Sequence, residues 1–280
     1  MLVTLKHILD EANAGGYAVP GIDTLDHAFA EAVVEAAEAQ NRPIILMVHE
    51  PGFSWINIDT FFPFLIGLAK RATVPVAVQL DHGQTLESVM KAIHYGFSAV
   101  MIDGSSLPLD ENIALTKKIV ELSHAAGVSV EAEIGHVAGG EGCFDGSAVD
   151  ESVYTKPEEA KKFVDETGVD ALAVAIGTVH GVYKGTPKLD IERLAEIKKV
   201  APIPLVLHGG SGVSEDEFVK AVKGGINKVN LFTELSMAAV ARSVEYARQK
   251  DNKLHFSQML LEGKKAVFDI TVKYLELFRK

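Results

Sequence analysis

The chain has 280 residues, of which 48% are hydrophobic, and its formal net charge at pH 7 is −11. This acidic balance argues against a nucleic-acid-binding surface, and no apolar run approaches the roughly 20 residues of a membrane-spanning helix. The single cysteine, Cys143, excludes an internal disulfide and a cysteine-rich zinc site. The N-terminal segment predicts an amphipathic helix rather than a signal peptide, so we expect a cytoplasmic protein.

Short apolar runs alternate with helical patterns along the chain. Eight runs predict buried strands, at 17–23, 43–50, 74–81, 98–103, 128–135, 171–177, 204–210 and 228–234. Periodicity and capping residues predict helices at 4–13, 26–40, 60–71, 85–95, 110–126, from 157 onward, at 190–200, at 214–223, and over the remainder to Lys280 with a break near Asp251 and Asn252. Residues 136–156 carry glycines and acids without periodicity and predict a mobile active-site loop.

The alternation of strands and helices predicts the fold class. Eight strand–helix repeats of this kind favour an α/β fold, a single (β/α)8 barrel domain over 1–280. The first helix would cap the barrel, and 254–280 would form a C-terminal helical extension. An open doubly wound sheet is the alternative, but no G-x-G-x-x-G follows the first strand.

The carboxyl ends of the strands are the expected place of the active site in such a barrel. Nearly all of these ends carry titratable or metal-binding residues, namely Asp23, His49, Glu50, Asp81, His82, Asp103, Glu131, Glu133, His180, His208 and Asn230. The clearest case is VPVAVQLDHG (74–83), because packing does not require Asp81 or His82 at the tip of a buried strand. A carboxylate beside an imidazole can hold a metal and move a proton.

Three of the histidines predict a metal site. His82, His180 and His208 end three different strands, and each is followed by a glycine. Three imidazoles with an open fourth position are typical of catalytic zinc. The alternative is that a histidine at a strand end only bonds its neighbour, and His49 and His136 compete for the same role.

Glycine-rich turns follow two of these histidines, HGVYKG (180–185) with Lys184 and HGGSG (208–212). Glycines let the backbone approach a ligand, and the free N–H groups of a helix start bind phosphate. Asn230 and Thr233 stand near the start of the helix after strand eight. These features predict a phosphate site, which recurs after strands seven and eight of this fold.

The acids divide into several roles. Glu131 and Glu133 share one face of strand five, and one of them is a candidate for a structural ion pair. Asp103 and Glu133 are candidates for outer contacts to the metal ligands or for an alternative metal position. Glu141, from spacing alone, is a solvated loop acid.

Seven short motifs together form a distinctive pattern. In chain order they are LDHG (80–83), MIDGS (101–105), EAEIG (131–135), GGEG (139–142), GTVHGVYKG (177–185), LHGGSG (207–212) and VNLFTEL (229–235). With them the sequence resembles the class II, zinc-dependent ketose-bisphosphate aldolase family, which includes fructose- and tagatose-bisphosphate aldolases. The likeness covers most of the chain from strand three onward.

The resemblance implies a metal-dependent aldolase. Such an enzyme reversibly cleaves a ketose 1-phosphate or 1,6-bisphosphate to dihydroxyacetone phosphate and an aldehyde, through a zinc-stabilised enediolate. Zinc, with another divalent metal as the alternative, would be bound by His82, His180 and His208. Asp103 and Glu133 would hold it in a displaced position.

The resemblance also implies roles for the remaining residues. Asp81 would be the acid/base at the hydroxyl of the bond that breaks. Glu141 would move the proton at the enolising carbon, in a loop (EGCFDG) that departs from the family's two acids and a glycine. The phosphate of dihydroxyacetone phosphate, with Na⁺ or K⁺ nearby, would be bound by Gly181, Lys184, Gly209, Gly210, Ser211, Asn230 and Thr233.

Three positions depart from the family pattern toward the aldehyde half of the substrate. Ile22-Asp23 replaces a Phe-Asn pair, His49 replaces a serine, and Phe232 replaces the aspartate or alanine of the fructose or tagatose enzymes. We therefore hypothesise that these positions select an aldehyde other than glyceraldehyde 3-phosphate, unphosphorylated or otherwise modified. Ordinary fructose- or tagatose-bisphosphate cleavage is the alternative.

Other classes of protein remain as alternatives. A zinc hydrolase on the same barrel would need an H-x-H pair at strand one, which is not present. A Schiff-base aldolase would need a buried lysine, and Lys184 in a loop and Lys228 at a strand start are poorly placed. A non-catalytic sugar-phosphate- or metal-binding homologue would share the motifs. The resemblance implies a homodimer or homotetramer, and the C-terminal helices carry apolar stripes that include Met259, Leu260, Ala266, Val267 and Ile270.

Overall fold

The computed structural model describes residues 1–137, 139, 151–183, 185 and 187–279. Within this part, the strands are parallel and close into a barrel in chain order: β1 (Val19–Asp23), β2 (Ile44–His49), β3 (Val76–Gly83), β4 (Ala99–Ile102), β5 (Ser129–Ile134), β6 (Ala171–Val174), β7 (Leu205–Leu207) and β8 (Ile226–Leu231). β1 pairs with β8, with Gly21 opposite Asn230, and this pairing closes the ring. The predicted (β/α)8 barrel is confirmed.

Helices follow the strands over the same described residues: α1 (Leu5–Gly15), α2 (His27–Gln40), α3 (Ile58–Arg71), α4 (Leu86–Tyr95), α5 (Leu109–Ala125), α6 (Pro157–Thr167), α7 (Ile191–Val200), α8 (Glu215–Gly224), α9 (Thr233–Gln249) and α10 (Phe256–Leu277). Short 3₁₀ helices cover Glu50–Trp55 and Glu151–Val153. The side chains of Asp26, Thr85 and Ser214 accept hydrogen bonds from the first turns of α2, α4 and α8, which explains where these helices begin. No helix in the described residues is both long and apolar enough to cross a membrane.

Two strands differ from their predicted bounds in ways that affect the site. β3 continues past Asp81 through His82 to Gly83, so the acid and the histidine belong to the strand itself. β8 begins at Ile226 and ends at Leu231, the last residue that pairs with β1, so Phe232 lies at the start of α9 instead of in a strand.

The two ends of the barrel are covered differently. α1 buries Leu5, Ile8 and Leu9 against the interior of the barrel, as predicted for a capping helix. The same cluster of buried residues contains Val19, Ile45, Met47, Ala77, Ala99, Ala171, Ala173 and Val206 from the strands. These residues lie toward the amino ends of most of their strands, which leaves the opposite end of the barrel for the site.

The C-terminal helices pack beside the barrel. α9 and α10 contact each other, and α10 also packs on α2. The predicted break between them is confirmed, because Asp251 and Asn252 have positive φ angles of 51° and 58° that a continuing helix does not tolerate. The assignment of 1–280 to one domain and the mobility of 136–156 stay predictions; residues 138 and 140–150 of that loop lie outside the described residues.

Candidate active site

The three predicted histidines converge at the carboxyl end of the barrel. The Nε2 atoms of His82 and His180 are 3.2 Å apart, and the rings of His82 and His208 have centroids 4.8 Å apart. One ring nitrogen from each of the three side chains lies within 4.8 Å of the other two. All three residues are buried, so the cluster is a built feature of the barrel mouth.

The backbone at His82 is unusual. Its φ angle is +45°, in the left-handed region, and the register between β3 and β4 shifts between Leu80 and Gly83. A residue other than glycine in this conformation carries strain of about 1–3 kcal/mol, which occurs preferentially at functional sites. No motif in the sequence predicts this conformation, although the glycine that follows the histidine is consistent with it.

Carboxylates flank two of the rings. His82 Nδ1 lies 2.8 Å from Asp103 Oδ2, and Asp103 Oδ1 also accepts a hydrogen bond from the Ser105 N–H. Burial disfavours the charged form of His82, but Asp81 and the bond to Asp103 raise its pKa well above the usual value. Burial likewise opposes ionisation of Asp103, but His82 and Ser105 hold the pKa of that carboxyl well below its usual range.

The other two rings are in contrasting environments. His208 lies between Glu131, 3.0 Å from its Nε2, and Glu133, 3.0 Å from its Nδ1. Burial lowers the pKa of His208, but the two carboxylates raise it to about 9. Burial, His82 and His208 lower the pKa of His180 well below its usual value. A divalent cation among the rings would take the place of their protons, and the surrounding carboxylates would balance its charge.

The donor set fits a metal ion. His208 Nδ1 and Glu133 Oε2 are close but not aligned for a hydrogen bond, and both are buried atoms without a hydrogen-bond partner among the described residues. Glu133 Oε1 accepts from the Val137 N–H at 3.1 Å, which orients that carboxylate. His82, Asp103 and Glu133 form a second group whose ligand atoms lie within 4.8 Å of one another. These side chains could therefore hold a metal in two neighbouring positions.

Asp81 lies beside the histidines, fully buried. Its Oδ1 accepts a hydrogen bond of 3.1 Å from Asn230 Nδ2, and its Oδ2 is 3.8 Å from His82 Nε2. No hydrogen bond to Oδ2 exists within the part of the chain that the structure describes. One oxygen is thus held in place while the other is available to a ligand. Asn230 thus contacts the predicted acid/base, and its assignment to the phosphate stays a prediction.

The residues predicted to bind phosphate lie on adjacent turns. The Tyr183 hydroxyl accepts from the Val179 N–H and donates to the Gly209 carbonyl, so it ties the turn after β6 to the turn after β7. Gly209 has a φ of +66°, and a Cβ there would approach Val179 O to 2.3 Å, so glycine is required for this packing whether or not a ligand binds. Gly181 and Gly210 belong to the same turns; Lys184 lies outside the described residues.

The start of α9 completes this group of turns. The Ser211 hydroxyl accepts from the N–H groups of Phe232 at 3.3 Å and Glu234 at 3.2 Å. Thr233 is buried, and its hydroxyl has no hydrogen-bond partner among the described residues. Ser211 therefore fixes the turn after β7 against α9, and the Thr233 hydroxyl is available to a ligand.

The three positions assigned to specificity are neighbours in the structure. His49 Nδ1 is 3.5 Å from Asp23 Oδ1, and the His49 ring lies 5.4 Å from Phe232 and 6.1 Å from Trp55. Burial and the nearby Asp81 raise the pKa of Asp23. The wall next to the histidine cluster is therefore acidic and aromatic.

A cavity of about 140 Å³ opens between His49 and the histidine cluster. The described residues that line it include neither lysine nor arginine: His49, Pro51, His82, Gln84, Asp103, Ser105, Glu133, His136, Val137, Gly139 and His180. His136, a competitor for the metal, is at its rim, exposed and 3.3 Å from the Ser105 hydroxyl. Glu141, assigned to proton transfer, lies outside the described residues.

One expectation about lysine is wrong. Lys228 is not at the start of its strand but third in β8, fully buried inside the barrel. It lies 2.7 Å from Glu131 Oε2 in the ion pair predicted for one of the strand-five acids. Both oxygens of Glu131 hold the Lys228 Nζ inside the barrel, so this nitrogen is not available as a nucleophile at the site. Polar residues inside apolar strands, Lys228 and Gln79, were the signal that could have located this pair.

The fold and site together define a barrel enzyme whose active-site end carries a metal-binding set of side chains and a buried acid. A family model described as "Fructose-bisphosphate aldolase class-II" matches residues 3–280. A fructose-bisphosphate aldolase of Staphylococcus aureus (strain Mu50) is 40% identical over an alignment of 275 positions, which covers 97% of this chain and 95% of the relative. One from Thermus caldophilus is 40% identical over an alignment of 303 positions, gaps included, which covers 99% of this chain and 98% of the relative.

Solved structures agree with this likeness. The crystal structure of the YdjI aldolase from Escherichia coli K12 matches with a TM-score of 0.89 and 32% identity, and covers 99% of this chain and 97% of that one. The chain belongs to the class-II fructose-bisphosphate aldolase family, a metal-dependent family of carbon–carbon lyases. The resemblance in the sequence is thereby confirmed.

Proposed function

We propose that this chain is a zinc-dependent aldolase that reversibly cleaves a ketose 1-phosphate or 1,6-bisphosphate to dihydroxyacetone phosphate and an aldehyde. The observation that carries the proposal is the buried cluster of His82, His180 and His208 with Asp81 beside it. Three imidazole donors and an open position suit zinc. A metal held there supplies Lewis-acid stabilisation of the negative charge that develops on the ketose oxygens.

The side chains can perform the proton steps of such a cleavage. Asp81 would take the proton of the hydroxyl on the carbon beyond the breaking bond, and the O–H electrons would form the aldehyde carbonyl. The electron pair of the broken C–C bond would stay with the dihydroxyacetone phosphate half, whose carbon is then protonated; we assign this second step to Glu141. Asn230, through its bond to Asp81 Oδ1, would keep Oδ2 directed at the substrate.

The phosphate end would fix the orientation of the substrate. We assign the phosphate-binding site to the turns after β6 and β7 and the start of α9. Lys184 would supply a positive charge to the phosphate, and Na⁺ or K⁺ would bind nearby. The free Thr233 hydroxyl and the N-terminus of α9 support this assignment. Holding the phosphate there would direct the carbonyl end of the ketose to the histidines.

We infer that the aldehyde half is hydroxylated and uncharged. A phosphate on this half would enter a cavity whose described lining residues include neither lysine nor arginine, and the buried Asp23 carboxyl lies behind that lining, 3.5 Å from His49 Nδ1. A charged phosphate that loses water without gaining a cationic partner is unfavourable. The buried Asp23 and His49 suit hydroxyl groups, and Phe232 suits the carbon face of a sugar.

Release of dihydroxyacetone phosphate from paired ketose 1-phosphates and 1,6-bisphosphates of the same sugars tests both proposals. We expect the 1-phosphates to have the higher kcat/KM. Asp23→Asn removes the carboxylate with little change in shape, and we expect it to shift the preference toward bisphosphates by about tenfold or more. Highest efficiency of the parent enzyme with fructose 1,6-bisphosphate would reject the aldehyde inference, and chelator-insensitive release would reject the metal mechanism.

We also propose that the chain forms homodimers or homotetramers through α9 and α10. Met237, Val240 and Val244 recur along one face of α9 and are 40–61% exposed, and Leu260 and Leu261 on α10 are 42% and 55% exposed. A contiguous exposed apolar surface of this kind commonly marks a protein–protein interface. A second copy of the chain is the occupant that the family resemblance implies.

Sedimentation velocity would test the interface. Val240→Asp places a charge in the centre of the surface, and we expect it to convert the oligomer to monomers at micromolar concentration. Leu122→Asp, on an exposed position of α5, is the matched control and should sediment like the parent. A monomeric parent, or an oligomer that survives Val240→Asp, would contradict the proposal.

A further inference from the structure

A fully buried polar network lies inside the barrel below the histidine cluster. Lys228 Nζ donates to both carboxylate oxygens of Glu131, at 2.7 and 3.0 Å. Gln79 Nε2 donates to Glu131 Oε2 at 3.1 Å, and His208 Nε2 lies 3.0 Å from Glu131 Oε1. Each carboxylate oxygen thus has two partners. Glu131, Lys228, Gln79 and His208 are all 0% exposed.

Packing alone does not explain this network. A buried ion pair is often no more stabilising than apolar residues of similar volume, so a barrel interior has no need of one. The chain nevertheless makes room for the lysine. A Cβ at Gly21 would lie 2.9 Å from Lys228 Cε and 2.8 Å from Met47 Sδ, so the absence of a side chain on β1 leaves the space that the Lys228 side chain fills.

The network determines which ring nitrogen of His208 is available to a metal. Because the Glu131 carboxylate occupies Nε2, that nitrogen carries the ring proton, and the lone pair available to a metal is on Nδ1. Nδ1 is the atom that lies 3.0 Å from Glu133 Oε2 without a hydrogen-bond partner in the described residues. Metal-binding histidines generally donate their other ring N–H to a carboxylate, which orients the ring and strengthens its donor atom.

Lys228 has a second effect. Asp81, Glu131 and His208 also form a group whose ligand atoms lie within 4.8 Å of one another. Both oxygens of Glu131 are held by Lys228, so Glu131 is kept from becoming a ligand itself. The lysine also neutralises the charge of Glu131, so that the network adds none to the barrel interior.

We propose that the Lys228–Glu131 pair is a positioning device for His208, which fixes Nδ1 as its metal-binding atom and thereby sets the metal affinity of the site. This inference rests on the proposed metal centre. Neither Glu131 nor Lys228 contacts the substrate in this assignment, so both act through His208.

Metal affinity tests the proposal independently of catalysis. Zn²⁺ dissociation constants would be measured by competition with a chelator, and the ligand field would be read from the absorption spectrum of the Co²⁺ form. We expect Glu131→Gln to weaken Zn²⁺ binding by about 10–100-fold and to change the Co²⁺ spectrum. The double variant Glu131→Gln, Lys228→Met removes both charges, so no unpaired charge is buried, and we expect the same weakening.

The controls separate positioning from a structural role. Glu217→Gln removes a carboxylate that pairs with Lys220 on α8, and we expect it to leave Zn²⁺ affinity unchanged. Unfolding of the metal-free proteins by denaturant would show which variants fold. If Glu131→Gln does not fold, the Zn²⁺ affinity of the double variant is compared with that of the parent instead. Zn²⁺ affinity within twofold of the parent in a folded variant would overturn the inference. A parent that binds no Zn²⁺, or binds it equally after His208→Ala, would instead overturn the proposed metal centre.

Discussion

Replacement of His82, His180 or His208 by alanine is expected to lower the release of dihydroxyacetone phosphate by at least about a thousandfold. The three rings supply the donor nitrogens that lie within 4.8 Å of one another, and two rings cannot complete a stable zinc site. Without the metal, the charge that develops on the ketose oxygens is left among buried carboxylates. The measurement is steady-state release from the best ketose phosphate, together with metal content by mass spectrometry.

The control for these variants is a histidine outside the cluster, on a helix. His94 is exposed on α4, so His94→Ala should retain both metal and activity. Treatment of the parent enzyme with a chelator should reproduce the loss, and added Zn²⁺ should restore activity in the parent but not in His180→Ala. Substantial activity in any metal-free variant would show that the reaction does not depend on this centre.

Replacement of Asp81 by asparagine is expected to lower kcat by about 10²–10⁴-fold while the metal stays bound. Asparagine keeps the shape of the side chain and its contact with Asn230, but it cannot accept the proton of the substrate hydroxyl. Because we place Asp81 on the aldehyde side of the breaking bond, it should not be needed to exchange the carbon-bound proton of dihydroxyacetone phosphate. The measurements are kcat for cleavage and deuterium incorporation into dihydroxyacetone phosphate in heavy water.

The expected pattern is slow cleavage with retained exchange. Asp10→Asn, at an exposed position on α1, is the matched control and should match the parent in both assays. Loss of exchange together with cleavage, while metal content is unchanged, would move Asp81 to the enolising carbon. Cleavage within tenfold of the parent would remove it from the proton-transfer role.

Much of the fold could be predicted because its signals are local. Short apolar runs between capped helices predicted the parallel strands, and side chains such as Asp26 and Ser214 marked helix starts that the structure confirms. The ligand candidates were also visible, because a histidine between a buried strand and a glycine is conspicuous. A strand-end rule then placed His82, His180 and His208 together without knowledge of their contacts.

The sequence alone thus determined the barrel, its family and the chemical types of residue at the carboxyl ends of its strands. These features could be recognised because apolar periodicity and short motifs depend only on residues that are close together in the sequence. Only the tertiary structure decided which atoms meet. Asn230 bonds to Asp81, and Lys228 is buried against Glu131, so each contact joins residues from different strands. The left-handed backbone of His82 likewise appears only in the folded barrel. Such contacts depend on barrel closure and strand register, which set distances between positions as far apart as Glu131 and Lys228 in the chain.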